Sequence, residues 1–215
     1  MKKLNIFLSV LIALSLNAQE NIKYQKPSKE ILDLVEFERP PSVQYDDDKN
    51  YMVFLYRDNY KSISDLSEKE LRLGGLRINP KTNIGSRVTF YNNVKIKKLK
   101  SKNSSAEQVS GLPDNPKLTN FAWSPDETKI ALTNTTENGV ELWVLDLETA
   151  SVVKLTEAIL NANIGGVITW QADSQSMLVK TLSKNRKPLI DTSSIVPDGP
   201  TISNNYGAKA QNRTY

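Results

Sequence analysis

The chain has no cysteine and no histidine among its 215 residues. Without cysteine there is no disulfide, no thiolate nucleophile and no Cys-based zinc or iron–sulfur site. Without histidine the usual general base is missing, and a Ser-His-Asp relay cannot be assembled from these residues. A strong excess of one charge is missing too: 28 Lys and Arg face 24 Asp and Glu, for a net charge of +4. The composition, 39% hydrophobic and 24% charged, is ordinary for a globular protein with a real core. The one basic run, "KIKKLK" at Lys95–Lys100, alternates with Ile and Leu. That alternation reads as a strand with one solvated basic face, and no nucleic-acid partner is expected.

A long hydrophobic run is absent as well, and this decides how the first residues are read. Met1-Lys2-Lys3 is a basic start, and Leu4–Leu16 is an apolar run broken by Asn5, Ser9 and Ser15. Ala18 then offers a small residue before Gln19. The run is shorter than the about 20 apolar residues that span hydrocarbon, so residues 1–18 read as a secretory signal peptide cut between Ala18 and Gln19, not as a stable membrane anchor. No cysteine follows to carry a lipid. The chain is therefore expected to be exported, to the periplasm or beyond, and removal of the segment takes two of the four net positive charges with it. Residues 19–41 read as a lead-in segment.

What is present is a repeat. "FAWSPDETKIALT", residues 121–133, has two relatives in "SVQYDDDKNYMVFLY" (residues 42–56) and "VITWQADSQSMLVKT" (residues 167–181). Each reads as an aromatic residue, an aspartate three places later, and then an apolar run. The aromatics are Tyr45, Trp123 and Trp170, and the aspartates are Asp48, Asp126 and Asp173. Each copy predicts a hairpin whose turn is held by the aspartate, because an Asp side chain accepts hydrogen bonds from backbone N–H groups just beyond it. Trp123 and Trp170 lie 47 residues apart, near the length of a four-stranded propeller blade.

The segment from Leu118 fills out one blade: "LTNFAW", "KIALTNT", "VELWVLDL" (Val140–Leu147) and an edge strand "SVVKLT" (Ser151–Thr156), with turns at "ENG" and "ETA". The fold class is therefore all-β, a partial β-propeller of two to three four-stranded antiparallel blades over residues 42–215. Tyr45 and Trp123 are 78 residues apart, too far for one blade. The excess is an inserted loop, residues 59–87. In it "SDLSEKELRL" predicts a short helix capped by Ser64 or Asp65, and Gly74-Gly75 and Asn79-Pro80 read as loop. "RVTFYNNVKIKKL", from Arg87, resumes the strand pattern.

Three stretches carry a family resemblance: "LRLGGLRINPKTNIGSRVTFY", "GLPDNPKLTNFAWSPDETKIALT" and the closing "VPDGPTISNNYGAKAQNRTY". In them the chain resembles the start of glutamyl endopeptidases, a branch of the prolyl oligopeptidase family of serine peptidases. The resemblance implies a propeller that caps an α/β-hydrolase domain and controls access of peptide or protein substrates to a Ser-Asp-His triad. No Gly-x-Ser-x-Gly occurs here, so the chain is expected to be an amino-terminal portion without the hydrolase domain and inactive alone. The alternative is a non-enzymatic exported propeller of TolB type that binds a partner.

No catalytic residue, metal ligand or cofactor is assigned. Trp123 and Trp170 are expected to pack between blades, and Asp46–Asp48 to form a solvated turn, not a calcium loop. Arg77 and Arg87, in the inserted segment, could pair with a substrate carboxylate and are the candidate substrate-binding residues.

Overall fold

The computed structural model describes residues 26–102 and 104–187. The signal segment with Ala18 and Gln19, and the closing motif from Val196, lie outside them. The chain divides into two compact units, Met1–Pro40 with Asp58–Tyr60 and Pro41–Arg57 with Lys61–Tyr215. In the first, Ser28 precedes a short helix, α1 (Lys29–Val35), that buries none of its residues. The Asn59 side-chain amide donates to the Phe37 carbonyl in the same unit. Among the described residues no helix is long and apolar enough to cross a membrane.

Among the described residues the second unit is built from β-strands and one short helix. Its first sheet joins β1 (Ser42–Tyr45), β2 (Tyr51–Tyr56), β6 (Asn93–Lys98) and β7 (Glu107–Gln108) in that order, all antiparallel. Its second joins β8 (Leu118–Trp123), β9 (Lys129–Thr136), β10 (Gly139–Asp146) and β11 (Ser151–Lys154), again as a meander. A third begins with the hairpin β12 (Ile168–Trp170) and β13 (Met177–Val179). Two four-stranded sheets followed by a two-stranded third match the partial-propeller plan read from the repeat.

The three hairpins are alike in register. Tyr45 pairs with Met52, Trp123 with Ile130 and Trp170 with Met177, so each aromatic ends its strand at the same place. The turns match as well. Lys49, Glu127 and Ser174, each four residues past the aromatic, take φ of 54°, 55° and 55°. Their amides donate to the carbonyls of Asp46, Ser124 and Gln171 at 3.1, 2.9 and 3.1 Å. Pro125 suits the second position of this turn because its ring presets φ.

The turn aspartate is where the first copy departs from expectation. Asp126 accepts from the Thr128 amide and Asp173 from the Gln175 and Ser176 amides. In the first copy Asp46, not Asp48, does this work, accepting from the Asn50 and Tyr51 amides at 2.9 and 2.6 Å. Asp46 is 3% exposed while Asp48 is exposed. The short carboxylate can reach the same amides from one residue after the aromatic, and so a fixed spacing did not locate it.

Alternation along the strands builds two cores. Val53, Leu55, Ile96, Ile130, Leu132 and Leu145 pack between the first and second sheets. Ala131, Val140 and Leu142 point the other way and pack with Ile168, Trp170 and Met177 of the third. The second sheet is therefore buried on both faces, which is why β9 reads as an unbroken buried run. Each fully buried Leu, Ile or Val contributes roughly 1.5–3 kcal/mol against leaving it in water.

The inserted segment is more ordered than a loop. It forms α2 (Ile63–Ser67) and a small antiparallel sheet of β3 (Leu71–Leu73), β4 (Leu76–Asn79) and β5 (Ile84–Gly85). Gly74 and Gly75, at φ 52° and 91°, make the two-residue turn between β3 and β4. The helix cap is Ser62, not Ser64 or Asp65: Ser62 Oγ accepts from the Asp65 amide, and the Asp65 carboxylate accepts from the Ser62 amide in return. The strand expected to resume at Arg87 begins only at Asn93; before it, Tyr91 makes an isolated bridge to Leu118. The basic run lies on β6, with Val94 and Ile96 buried and the intervening lysines partly exposed.

Candidate functional site

Arg77 lies on β4 of the inserted sheet, half-buried, and Arg87 follows β5 and is exposed. The fold brings their backbones together, since the Ser86 amide donates to the Arg77 carbonyl at 2.9 Å. Their side chains meet different surroundings. Arg77 Nη1 donates to Glu70 Oε1 at 2.7 Å, and Arg72 Nε donates to the same oxygen at 2.9 Å. Ser86 Oγ donates to the other carboxylate oxygen. The Ser86 hydroxyl first, then the two guanidinium groups, hold the Glu70 carboxyl down at about 2. Glu70 thus engages one candidate arginine and leaves Arg87 facing solvent.

A second polar network fixes the loop between β4 and β5. Asn79 Oδ1 accepts from the Lys81 and Thr82 amides at 2.9 and 3.2 Å, and its amide group donates to Glu68. The Asn83 carbonyl accepts from the Ala162 amide at 3.0 Å, and Arg186 donates to the Asn83 side chain. Lys117 Nζ meets Asp65 Oδ1 at 2.6 Å, tying α2 to the start of β8. The insertion is therefore a clamped platform that presents Arg87 on a rigid support.

The hairpin turns border a polar cleft of about 500 Å³ lined by residues that include Asp48, Tyr51, Lys98, Lys100 and Glu127. Tyr51 Oη donates to Glu148 Oε2 at 2.7 Å, and Lys98 Nζ donates to Glu148 Oε1 at 3.0 Å. The Glu148 carboxylate beside it pushes the Tyr51 phenol up to about 12, so it stays a donor. The cleft brings acids and bases of both signs together. Ser124 is 1% exposed and spends its hydroxyl on Asp126 Oδ1 at 2.7 Å, so it is a turn residue with no access to substrate. Among the described residues no cluster of three or more acids stands in metal-binding array.

Trp123 and Trp170 lie between successive sheets, as expected, and each also donates a hydrogen bond. Trp123 Nε1 donates to Gln44 Oε1 at 3.0 Å, and Trp170 Nε1 to the Ala122 carbonyl at 2.9 Å. Gln44 and Ala122 each sit one residue before the aromatic of the preceding copy. In both pairs the indole of one copy bonds to the strand end of the copy before it.

The same chain length is matched in larger proteins. No family model matches the chain. It is 31% identical, over a 208-residue alignment that covers 89% of the chain, to a protein of Arabidopsis thaliana described as a probable glutamyl endopeptidase, chloroplastic. The chain belongs to the glutamyl endopeptidase family. A protein of Oryza sativa subsp. japonica with the same description is 29% identical over 85% of the chain. The chain spans about a fifth of each, 21% and 20% of their lengths. A weaker likeness, at 20% identity and a TM-score of 0.39, covers 74% of the chain and 20% of Pyrococcus horikoshii acylaminoacyl peptidase. By the identity to the two plant proteins, the sheets described above are a peptidase-family region.

Several residues around the candidate arginines were not legible in the sequence. Glu70, Ser86 and Glu68 gave no signal, because nothing in their spacing relates them to Arg77 or Asn79. The Asn79-Pro80 dipeptide was the one available cue, since Asn before a turn accepts from amides two and three residues on.

Proposed function

We propose that this chain is the propeller portion of an exported serine endopeptidase and that it governs which peptides reach a catalytic α/β-hydrolase domain carried by the rest of the parent protein. The supporting observation is the stack of repeated sheets in a chain whose relatives, described as glutamyl endopeptidases, are about five times as long. A stack of narrow sheets leaves rigid walls, and rigid walls exclude bulky substrates by shape. The chain itself contributes no histidine to a Ser-Asp-His triad. The basic start, apolar run and Ala18 support export.

Within this reading Arg87 is the better candidate for a substrate carboxylate. Its guanidinium is exposed, whereas that of Arg77 already serves Glu70. An arginine fork suits a glutamate side chain because two parallel N–H groups meet two oxygens.

The test compares the 215-residue chain with the product of the coding sequence continued beyond Tyr215. The longer protein should hydrolyse a short peptide after glutamate, and the 215-residue chain should not. It should also cut short peptides far faster than a folded protein containing the same bond. A continuation that holds only further hairpins, with no Gly-x-Ser-x-Gly, Asp and His in order, would make this a binding propeller and end the peptidase reading.

A further inference from the structure

The inserted sheet gathers positive charge around Ser86. Arg72 on β3 and Arg77 on β4 are direct cross-strand partners, and like charges so placed repel. Glu70 is the carboxylate set between them. Its Oε1 accepts from both guanidinium groups and its other oxygen from the Ser86 hydroxyl. Lys61 Nζ donates to the Ser86 carbonyl at 3.1 Å, a bond to a neutral acceptor that leaves its charge uncompensated. Arg87 is the next residue in the chain. Four cations therefore meet within side-chain reach of Ser86 and share the Glu70 carboxylate. The other acids of the segment are committed elsewhere: Asp65 pairs with Lys117 Nζ at 2.6 Å, and Glu68 accepts from the Asn79 amide group.

Donors are left over as well. A guanidinium carries five N–H groups, and Glu70 takes one from Arg72 and one from Arg77. The Arg72 side chain is 75% exposed, and Lys61 and Arg87 are exposed too. The Glu70 contact shows what such a patch suits: a planar carboxylate, met by guanidinium groups on one oxygen and a hydroxyl on the other. The backbone beneath is already fixed. Ser86 is held at its amide by the Arg77 carbonyl, at its hydroxyl by Glu70 and at its carbonyl by Lys61, so binding orders side chains and not the loop.

We infer that this patch binds acidic peptide segments and takes two carboxylates at once, one on Arg87 and a second on the exposed guanidinium of Arg72 together with Lys61. The inference deepens the peptidase reading, on which it rests for the nature of the ligand: the segment selected is a glutamate beside a second acidic residue. The surplus positive charge also draws such segments in, over a range of about 10 Å at 0.1 M salt.

Fluorescence anisotropy of labelled peptides with the 215-residue chain tests this. A peptide with two neighbouring glutamates should bind about two- to fivefold tighter than one with a single glutamate, and its glutamine analogue should not bind. Binding should weaken several-fold as salt rises from about 20 to about 200 mM. Arg87→Gln, Arg72→Gln and Lys61→Gln should each weaken it about two- to fivefold. Lys100→Gln, on the cleft that the hairpin turns border, should leave it unchanged. Near-ultraviolet circular dichroism matching the wild type shows that the variants keep their packed tryptophans. Inorganic phosphate at equal ionic strength should not displace the peptide. Equal binding of the one- and two-glutamate peptides, undiminished binding by the three variants, loss on Lys100→Gln, or displacement by phosphate would each overturn the inference. A continuation of the coding sequence without the triad would instead end the peptidase reading and leave the binding result standing.

Discussion

Val152 and Val153 are neighbours on β11 with identical side chains and opposite surroundings. Val152 is 6% exposed and sits in the core between the first and second sheets, whereas Val153 is 59% exposed. Replacing either by alanine removes the same two methyl groups. At position 152 the transfer loss is about 0.8 kcal/mol per group, and an unrelaxed void of roughly 35 Å³ adds about 0.8 kcal/mol, for about 2 kcal/mol in all. At position 153 less than half of that transfer loss applies and no void forms, so the cost stays at about 0.7 kcal/mol or less. The lost strand preference is common to both and cancels in the comparison. Urea unfolding followed by tryptophan fluorescence reads the difference. With a slope near 2 kcal/mol per molar, Val152→Ala lowers the midpoint by about 1 M and Val153→Ala by no more than about 0.3 M. The protein concentration is held equal in all three measurements. Equal shifts, or a larger shift for Val153→Ala, would refute the assignment of strand faces on which the stack rests.

Other outcomes follow from the same contacts. Trp123→Phe and Gln44→Ala should each destabilise by about 1 kcal/mol, and a double-mutant cycle in urea should give a coupling of about 0.5–1 kcal/mol from the bond they share. Lys49, exposed at φ 54°, takes a left-handed conformation that costs a side-chain-bearing residue about 1 kcal/mol, so Lys49→Gly should raise the urea midpoint slightly. Gly139→Ala should cost about 1–3 kcal/mol in the same assay: its φ is 143°, and a Cβ there would lie 2.8 Å from the Ala158 carbonyl oxygen. Glu70 is held at about 2 against an ordinary 4.5, so its ionised form favours the folded hairpin. That contribution is complete above pH about 4.5 and fades as pH falls through about 2. The protection factor of the Ser86 amide, its exchange measured against the intrinsic rate at each pH, should fall over that window in the wild type, and Glu70→Gln should remove the acid step.

The polar core of the second sheet shows where sequence reasoning stops. Glu141, 8% exposed, accepts from Asn134 Nδ2 at 3.1 Å, from Trp143 Nε1 at 2.9 Å and from Lys154 Nζ. Burial pushes its carboxyl up, but the Lys154 ammonium and the two N–H donors outweigh it and hold it below the ordinary value. In the sequence Glu141 is one polar residue in an alternating strand, with nothing to say that it turns inward. Asn134 comes from the strand on one side and Lys154 from the strand on the other, so only the antiparallel register places them around one carboxylate. Glu70 is hidden for the same reason: Arg77 and Ser86 reach it from different strands of the inserted sheet and the residues that follow.

By itself the sequence determined the strands, their alternation and the period of the hairpins, because these depend on local chemistry: side chains alternate along a strand, Pro125 presets a turn, and an aromatic recurs wherever a sheet must meet its predecessor. It also excluded cysteine and histidine chemistry outright, since an absent residue type cannot be supplied by folding. Tertiary structure decided what depends on distance through space. It chose Asp46 over Asp48, made a three-stranded sheet from a segment that reads as loop, and committed Arg77 to Glu70. In each case the deciding partner lies across a turn or on another strand, and sequence spacing carries no measure of that separation.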